Sequence, residues 1–248
     1  MDGAVPPILV IPCFNEAERL DGKAFESLAQ SGRASLLFVD DGSSDRTASM
    51  LTDLASRSSA IDVLPLPSNQ GKAEAVRLGL RAAMEAGAPI VGYCDADLAT
   101  PPDELVRLLG ALEGNPEISV VFGSRIARMG SAIDRSGRRH YLGRVFASVA
   151  SWSLRITVYD TQCGAKFFRH LPVLDAALTE PFPSSWGFDV RLLSRMLRGT
   201  PDIPGLSESE FLEVPLRTWR DVEGSKVDLR GSAYALVDIV RLRFEHRR

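Results

Sequence analysis

The chain has 248 residues, of which 45% are hydrophobic, 25% charged and 7% aromatic. This length and composition are typical of one globular domain and exclude collagen-like, coiled-coil and disordered chains. The formal net charge of −3 conceals an asymmetry, because residues 1–124 carry 9 basic and 18 acidic side chains and residues 125–248 carry 20 and 14. The two halves are therefore expected to meet different partners.

Location and redox state follow from what the sequence lacks. No apolar run approaches the roughly 18 residues of a membrane span, and the first residues have neither the basic nor the apolar region of a signal peptide. We therefore predict a cytoplasmic protein whose membrane contact is at most peripheral. Cys13, Cys94 and Cys163 are widely spaced and form no CxxC pair, which predicts reduced thiols rather than disulfides or a zinc site.

The first half alternates short apolar runs with helical patterns. Strands are predicted at 8–11, 36–39, 61–66, 90–94 and 120–122, and helices at 18–29, 46–57, 72–86 and 102–112. Ser44 or Asp45 can cap the second helix, Gly87 can end the third, and Pro102 suits the first turn of the fourth. This alternation predicts an α/β fold with a mostly parallel central sheet flanked by helices.

The second half begins differently. Residues 125–144 contain six Arg and one Asp, and 145–154 form an apolar, small-residue helix candidate. A strand at 165–168, a helix at 188–198, a strand at 211–216 and an amphipathic helix at 234–244 complete the predicted elements. No repeat or linker is evident, so residues 1–248 are predicted to form a single domain.

Ligands of open parallel sheets bind beyond the carboxyl ends of the strands, so those ends are the places to search. Residues 12–16, after the first strand, read PCFNE and are not glycine-rich, which argues against a dinucleotide-binding site. A Walker motif is also absent. The second strand ends in DDGSSD (40–45) and the fourth in DAD (95–97).

Asp95 and Asp97 stand two residues apart where a strand leaves the sheet. Because residues i and i+2 of an extended chain point to the same side, both carboxylates can face one ligand. A hard cation such as Mg²⁺ or Mn²⁺ accepts one or two carboxylates and completes its shell with phosphate oxygens and water, which makes a diphosphate the natural co-ligand. Taken alone, the tripeptide could also be an ordinary polar turn.

The tripeptide belongs to a larger set of motifs. IPCFNE (11–16), VDDGSSD (39–45), NQGK (69–72), DADLAT (95–100) and GSR (123–125) resemble, in order and spacing, family 2 glycosyltransferases of the A-type nucleotide-sugar fold. DTQCGAKFF (160–168), WGFD (186–189) and WRDVEGSK (219–226) resemble the polyprenyl-phosphate sugar transferases, especially the dolichyl-phosphate β-glucosyltransferase branch.

This resemblance implies a single Rossmann-like nucleotide-sugar transferase domain and an inverting, metal-dependent enzyme. It would move a hexose from a nucleotide diphosphate sugar to a polyprenyl phosphate. Mannose-transferring relatives often carry Gln where this chain has Ala99, so UDP-glucose is the favoured donor and GDP-mannose the second. Residues 1–124 would form the nucleotide-sugar and metal half, and residues 125–248 the acceptor half.

The resemblance also implies roles for individual residues. The nucleotide-sugar pocket would contain Pro12, Phe14, Glu16, Asp40, Asp41, Lys72, Asp95 and Ala96. The divalent cation, Mg²⁺ or Mn²⁺, would be held by Asp95 and Asp97. Catalytic roles would fall to Asp97, Asp189 and Arg125. The acceptor or phosphate groups would meet Arg138, Arg139, Arg144, Gln162, Arg220 and Lys226.

Several alternatives remain open from the sequence. Asp189 could be a general base for a hydroxyl acceptor, an acceptor-positioning residue or the N-cap of the following helix. Asp40 and Asp45 could be turn and cap residues only, and Arg125 a solvated surface residue. The acceptor could be a hydroxyl on a glycan or small molecule, or the chain could bind nucleotide sugars without turning them over.

The basic segment 125–155 allows three interpretations. Its arginines, followed by Phe146, Val149 and Trp152, are typical of an interfacial element on a membrane of anionic lipids. The segment could equally bind the lipid-linked phosphate, or be an arginine-rich loop followed by a helix packed on the sheet. Nucleic acid is an unfavourable partner, because the chain is net acidic and lacks interleaved aromatic residues.

Overall fold

A seven-stranded sheet runs through the part of the chain that the computed structural model describes, namely residues 5–134, 137–183, 187–221, 237, 239–241 and 243–244, with the backbone alone at 137–143 and 145. The strand order is β3-β2-β1-β4-β7-β5-β8, and only β7 is antiparallel to its neighbours. The strands are β1 Ile8–Cys13, β2 Ser35–Asp40, β3 Ile61–Pro65, β4 Ile90–Cys94, β5 Val120–Ser124, β7 Ala165–Arg169 and β8 Phe211–Pro215. A separate parallel pair joins β6 Ala132–Ile133 to β9 Thr218–Trp219.

Helices cover both faces of the sheet. They are α1 Gly22–Gln30, α2 Thr47–Arg57, α3 Lys72–Glu85, α4 Pro102–Glu113, α5 Gly137–Leu154, α6 Pro172–Thr179 and α7 Phe188–Arg198. Alternate residues of a strand point to opposite faces, so Val10 joins the core beneath α3, α6 and α7, whereas Leu9 and Ile11 join the core beneath α1, α2 and α4. The predicted α/β fold with a mostly parallel sheet is confirmed.

The predicted elements of the first half are present, and their bounds agree with the structure to within two residues except at the start of the first helix. The helix expected from residue 18 begins only at Gly22, because the Asp21 carboxylate accepts a hydrogen bond from Ala24 N at 3.1 Å and caps it there. Asp45 likewise accepts from Thr47 N at 2.8 Å at the start of α2, although Arg46 is the N-cap residue. Gly87, at φ +86°, ends α3 as expected.

The second half departs further from expectation. Helix α5 begins at Gly137 rather than near 145, and α6 was not predicted at all. The strand at 165–168 and the helix at 188–198 are confirmed. Of the predicted helix 234–244, residues 237, 239–241 and 243–244 are helical, and the rest lies outside the described residues. Among the described helices, none combines the length and apolarity that crossing a bilayer requires.

The topology singles out one place on the sheet. From β1 the chain builds outward through β2 to β3, and it then returns to place β4 on the other side of β1. The crevice at such a reversal, beyond the carboxyl ends of the two central strands, is where open α/β sheets bind ligands. Residues 12–16 follow β1 here, and Asp95 follows β4.

Candidate active site

The carboxylates of Asp95 and Asp97 lie in a tight turn at the end of β4. Asp95 N donates to Gly164 O at 3.1 Å, which ties the turn to the loop before β7. Asp97 Oδ1 accepts from Ala99 N at 3.0 Å, and Leu98 between them adopts a left-handed conformation at φ +49°. A left-handed conformation is uncommon for a non-glycine residue and persists only where surrounding contacts stabilise it. The contacts around Leu98 therefore hold the turn in one conformation.

Negative charge accumulates around this turn. Burial, together with neighbouring Asp95, raises the pKa of Asp97 above its ordinary value. Burial also raises the pKa of Glu16, and Asp97 and Asp95 add to this effect against the opposing influence of Arg19. Among the described residues, Glu16 Oε2 is a buried oxygen without a hydrogen-bond partner. The three carboxylates therefore favour a positively charged ligand.

Lys72 supplies one positive charge to the site. Its ammonium group donates to Asp95 Oδ1, and the two side chains are 44% and 34% exposed. Burial opposes the charged ammonium, but Asp95, Asp189 and Asp97 raise the pKa of Lys72 above its usual value.

Asp41 fixes the start of α3, because its two oxygens accept from Gln70 N at 2.7 Å and Gly71 N at 2.8 Å. Both oxygens of Asp41 thus bind backbone.

The loops after β1 and β2 are joined by hydrogen bonds. Asn15, at φ +54°, accepts at Oδ1 from Ser44 N at 2.9 Å, and Asn15 N donates to Ser43 Oγ at 3.0 Å. Asp40 is buried and accepts from Ser43 N at 3.1 Å, while Phe14 remains exposed. Asp40 and Asp45 therefore do make turn and cap contacts, and the loop that carries Phe14 is joined to the loop that follows Asp40.

Asp189 lies in the first turn of α7 and not at its N-cap, which is Gly187, so the N-cap interpretation is wrong. Asp189 Oδ1 accepts from Lys166 Nζ at 2.5 Å and from the hydroxyl of Tyr93. Lys166 is completely buried, donates also to Cys163 O at 2.7 Å and lies 5.3 Å from the Tyr93 ring centre. The antiparallel pairing of β4 with β7 sets Tyr93 directly opposite Lys166.

Arg125 is not a solvated surface residue. Its guanidinium group makes two parallel contacts with Asp160, Nε to Oδ2 at 2.6 Å and Nη2 to Oδ1 at 2.7 Å, and stacks 5.4 Å from the Trp219 ring centre. Burial opposes the charge, but Asp160 raises the pKa of Arg125. A phosphate bound here would share this guanidinium with Asp160.

The remaining candidates are distributed unevenly. Arg220 N donates to Ala99 O at 3.1 Å, which brings the exposed Arg220 next to the acidic turn, and buried Ala96 lies within that turn. Gln162 is half-buried in the loop before β7. Lys226 and the side chains of Arg138 and Arg139 lie outside the described part of the chain.

Helix α5, which begins at Gly137 within the basic segment, has two different faces. Phe146, proposed from the sequence as a lipid contact, is instead in the core, and Val149 packs against it. Trp152 is 49% exposed, contacts the ring of Phe244 and has the guanidinium of Arg243 5.3 Å from its ring centre. Arg144 is also exposed, and its guanidinium lies 5.7 Å from the ring centre of Tyr159. The expectation of a packed helix therefore holds for one face only.

Four residues at the site had no role assigned from the sequence. Tyr93 and Lys166 contact Asp189, Asp160 contacts Arg125, and Asn15 joins the loops after β1 and β2. Lys166 carried a usable signal, because a lysine inside the apolar run 165–168 requires a buried partner. Asp160 lies within the motif DTQCGAKFF and Asn15 within IPCFNE, but their hydrogen-bond partners are residues distant in sequence.

The donor set suits a hard divalent cation. Asp95 and Asp97 supply carboxylate oxygens at one turn, and Glu16 adds an unpartnered buried oxygen nearby. The described residues contain no group of three or more His, Cys, Asp or Glu side chains arranged as metal ligands. A cation here would take few protein ligands and complete its shell with phosphate and water, as Mg²⁺ commonly does. The three cysteines are buried free thiols, as predicted.

Comparison with solved structures agrees with the fold. Glucosyl-3-phosphoglycerate synthase from Mycobacterium tuberculosis, in a crystal structure with Mn²⁺, UDP-glucose and phosphoglyceric acid, superposes with a TM-score of 0.67 at 20% identity. The match covers 97% of this chain and 80% of that one.

Sequence comparison identifies the family. A dolichyl-phosphate beta-glucosyltransferase of Dictyostelium discoideum is 30% identical over 262 residues, covering 96% of this chain and 74% of that protein. One from Trichomonas vaginalis is 28% identical over 250 residues, covering 94% and 69%. The model of Glycosyl transferase family 2 matches residues 8–176. The chain therefore belongs to glycosyl transferase family 2 and is a glycosyltransferase.

Proposed function

We propose that this glycosyltransferase moves a hexose, with glucose favoured, from a nucleotide diphosphate sugar to a polyprenyl phosphate. The observation that carries the proposal is the Asp95–Asp97 turn at the reversal point of the sheet, beside Lys72 and the exposed Arg220. The similarity to dolichyl-phosphate beta-glucosyltransferases supports the lipid phosphate acceptor. UDP-glucose is the proposed donor and GDP-mannose the second candidate.

The donor would lie along the crevice between the ends of β1 and β4. Pro12, Phe14 and Glu16 would border the nucleotide, with Asp40 beside its base and ribose. Asp41 contributes indirectly, because its oxygens hold the turn that positions Lys72. Asp95 and Asp97 would hold a divalent cation, Mg²⁺ or Mn²⁺. When bound, that cation offsets negative charge on the diphosphate leaving group.

The transfer is a single displacement. An oxygen of the acceptor phosphate forms a bond to the anomeric carbon while the bond from that carbon to the nucleotide diphosphate breaks, so the configuration inverts. A phosphate acceptor is already an anion at neutral pH, and the step needs no general base. Lys72 and Arg220 can stabilise phosphate charge near the acidic turn, and Arg125 can do so while retaining Asp160.

A direct test is transfer of radiolabelled glucose from UDP-glucose to a polyprenyl phosphate with Mn²⁺. The wild type should form a lipid-linked product, and Asp97→Ala should abolish it. An Asp97→Ala enzyme that keeps a near wild-type rate at saturating Mn²⁺ would refute the cation-binding role.

Thermal-shift measurements with UDP-, GDP- and dTDP-sugars rank the donors, because specific binding raises apparent stability.

A hydroxyl acceptor is the second candidate, and the buried carboxylate of Asp189 favours it. The contacts from Lys166 and Tyr93 both fall on Oδ1 of Asp189, so Oδ2 is the oxygen that could accept a proton. Asp189→Asn discriminates the candidates. Normal transfer to polyprenyl phosphate by this variant rules out a base in that reaction, whereas selective loss with sugar acceptors supports the second candidate.

A lipid acceptor requires peripheral contact with a membrane, which we assign to the outer face of α5 at the cytoplasmic surface. Exposed Arg144 and the half-exposed Trp152, packed under Arg243 and against Phe244, combine cations with apolar surface. Flotation with vesicles rich in phosphatidylglycerol should recover the protein, and Trp152→Ser should weaken recovery. Equal recovery with neutral phosphatidylcholine vesicles would contradict the proposed binding of the arginines to anionic lipid head groups.

A further inference from the structure

The ion pair between Lys72 and Asp95 occupies one of the two carboxylates that the proposed function assigns to the cation. Lys72 is the first residue of α3, and its ammonium group donates to Asp95 Oδ1. An ammonium ion and a divalent cation that compete for one carboxylate repel each other, so the pair opposes binding of the cation.

Three other positively charged side chains near the site have carboxylate partners of their own. Lys166 pairs with Asp189 and Arg125 with Asp160, neither of which is proposed to bind the divalent cation. Arg19 pairs with Glu16 Oε1 at 2.5 Å and leaves Glu16 Oε2 unpartnered. The Lys166 and Arg125 pairs are largely buried, whereas the side chain of Lys72 is 44% exposed. A lysine ammonium on a flexible four-carbon stem can exchange one oxygen partner for another, and a diphosphate presents several such oxygens.

The backbone beneath Lys72 is fixed, so this exchange would involve the side chain alone. The two hydrogen bonds from Gln70 N and Gly71 N to Asp41 hold the residues before α3 in place. Gly71 adopts φ +90°, a conformation that suits glycine. Rotation about the side-chain bonds of Lys72 is therefore sufficient to move its ammonium group away from Asp95 Oδ1.

We propose that Lys72 is an exchangeable counter-cation: it neutralises Asp95 while the donor site is empty and transfers to the diphosphate when the donor binds. This inference rests on the proposed function. The exchange of Lys72 makes the divalent cation and the nucleotide diphosphate bind cooperatively. This cooperativity adds to any that comes from direct contact between the two ligands. Because such coupling is reciprocal, the cation must strengthen nucleotide binding by the same factor as the nucleotide strengthens cation binding.

The test is a titration of Mn²⁺, followed by the loss of the free-ion electron paramagnetic resonance signal, with and without UDP. Removing the ammonium group should release Asp95, so Lys72→Gln and Lys72→Met should bind Mn²⁺ alone about threefold or more tightly than wild type. The strengthening of Mn²⁺ binding by UDP should shrink by at least the same factor. Lys23→Gln, at an exposed position of α1, makes the same change of net charge and should leave both values unchanged.

The outcomes separate the inference from the function beneath it. Mn²⁺ affinity without UDP that is unchanged or weaker in both Lys72 variants, while wild type binds Mn²⁺ with UDP, overturns the role of Lys72 only. Equal tightening in Lys23→Gln also overturns it, because the effect would then be one of net charge. Failure of wild type to bind Mn²⁺ even with UDP overturns the proposed cation site itself.

Discussion

Lys166 and Asp189 form a buried ion pair, with Nζ 2.5 Å from Oδ1, between β7 and the first turn of α7. Lys166 has no exposed surface, and it also contacts Cys163 O and the face of Tyr93. Burying a lysine is costly unless an anion and further acceptors compensate. The pair therefore fixes Asp189 relative to the sheet.

Removing that lysine should leave Asp189 without its cation in a buried place. Lys166→Met is expected to lower the free energy of unfolding by about 3–5 kcal/mol, the range typical of a broken buried pair. Urea unfolding measures it. Tyr93→Phe, which removes only a hydroxyl donor, should cost about 1–2 kcal/mol. A Lys166→Met change no larger than that of Lys23→Met, on the exposed side of α1, would contradict this account.

Ionised Asp97 should lower the stability of the folded protein although transfer activity requires it. Burial and Asp95 raise its pKa, so its ionised form is disfavoured in the folded protein. Asp97→Asn keeps an oxygen to accept from Ala99 N and should raise Tm at neutral pH without metal, by about 2–4 °C if it recovers on the order of 1 kcal/mol. Transfer activity should be lost.

The pH dependence of that gain gives an independent check. A carboxyl whose pKa is raised in the folded state destabilises the protein as pH rises through its unfolded and then its folded pKa. Below both values wild-type Asp97 is neutral, like Asn. The Tm difference between Asp97→Asn and wild type should therefore shrink as the pH is lowered through the acidic range, and a constant difference would argue against a charge effect.

Gly164 packs against the Asp95 carboxylate, so a larger residue at this position should impair cation binding. A Cβ at Gly164 would overlap the Asp95 carboxylate, so Gly164→Ala must displace that side chain. We expect at least a tenfold loss of Mn²⁺ affinity in the presence of UDP, with a cooperative fold retained. Gly110→Ala is the matched control, since nothing lies within 4 Å of its Cβ position on α4, and it should gain roughly 0.5–1 kcal/mol. Unchanged Mn²⁺ binding in Gly164→Ala would contradict the packing argument.

Asp41 is expected to act through Lys72 rather than through the nucleotide. Its oxygens accept from Gln70 N and Gly71 N, so Asp41→Ala leaves two amide groups without that acceptor, and Asp41→Asn can replace only one bond. Stability should fall by about 1–3 kcal/mol in Asp41→Ala and by less in Asp41→Asn. UDP affinity measured calorimetrically should follow the same order. Loss of UDP binding without loss of stability would instead indicate direct contact with the nucleotide.

Local patterns of residues were enough to predict the order of strands and helices in the first half and the location of the acidic turn. Those features depend on hydrophobic periodicity and on the rule that ligands bind at the carboxyl ends of parallel strands. Asp95 and Asp97 could be chosen for that reason. Residues 188–198 were also recognisable as a helix, because their apolar positions recur with a helical period.

The side chains that support the acidic turn became evident only in the folded chain. The antiparallel β7 inserts between β4 and β5, so Tyr93 meets Lys166 and Asp95 meets Gly164, although both pairs are far apart in sequence. Arg125 finds Asp160 in the same way, 35 residues away. Strand insertion and ion pairing at such separations depend on the free energy of the assembled core, which no local pattern of residues records.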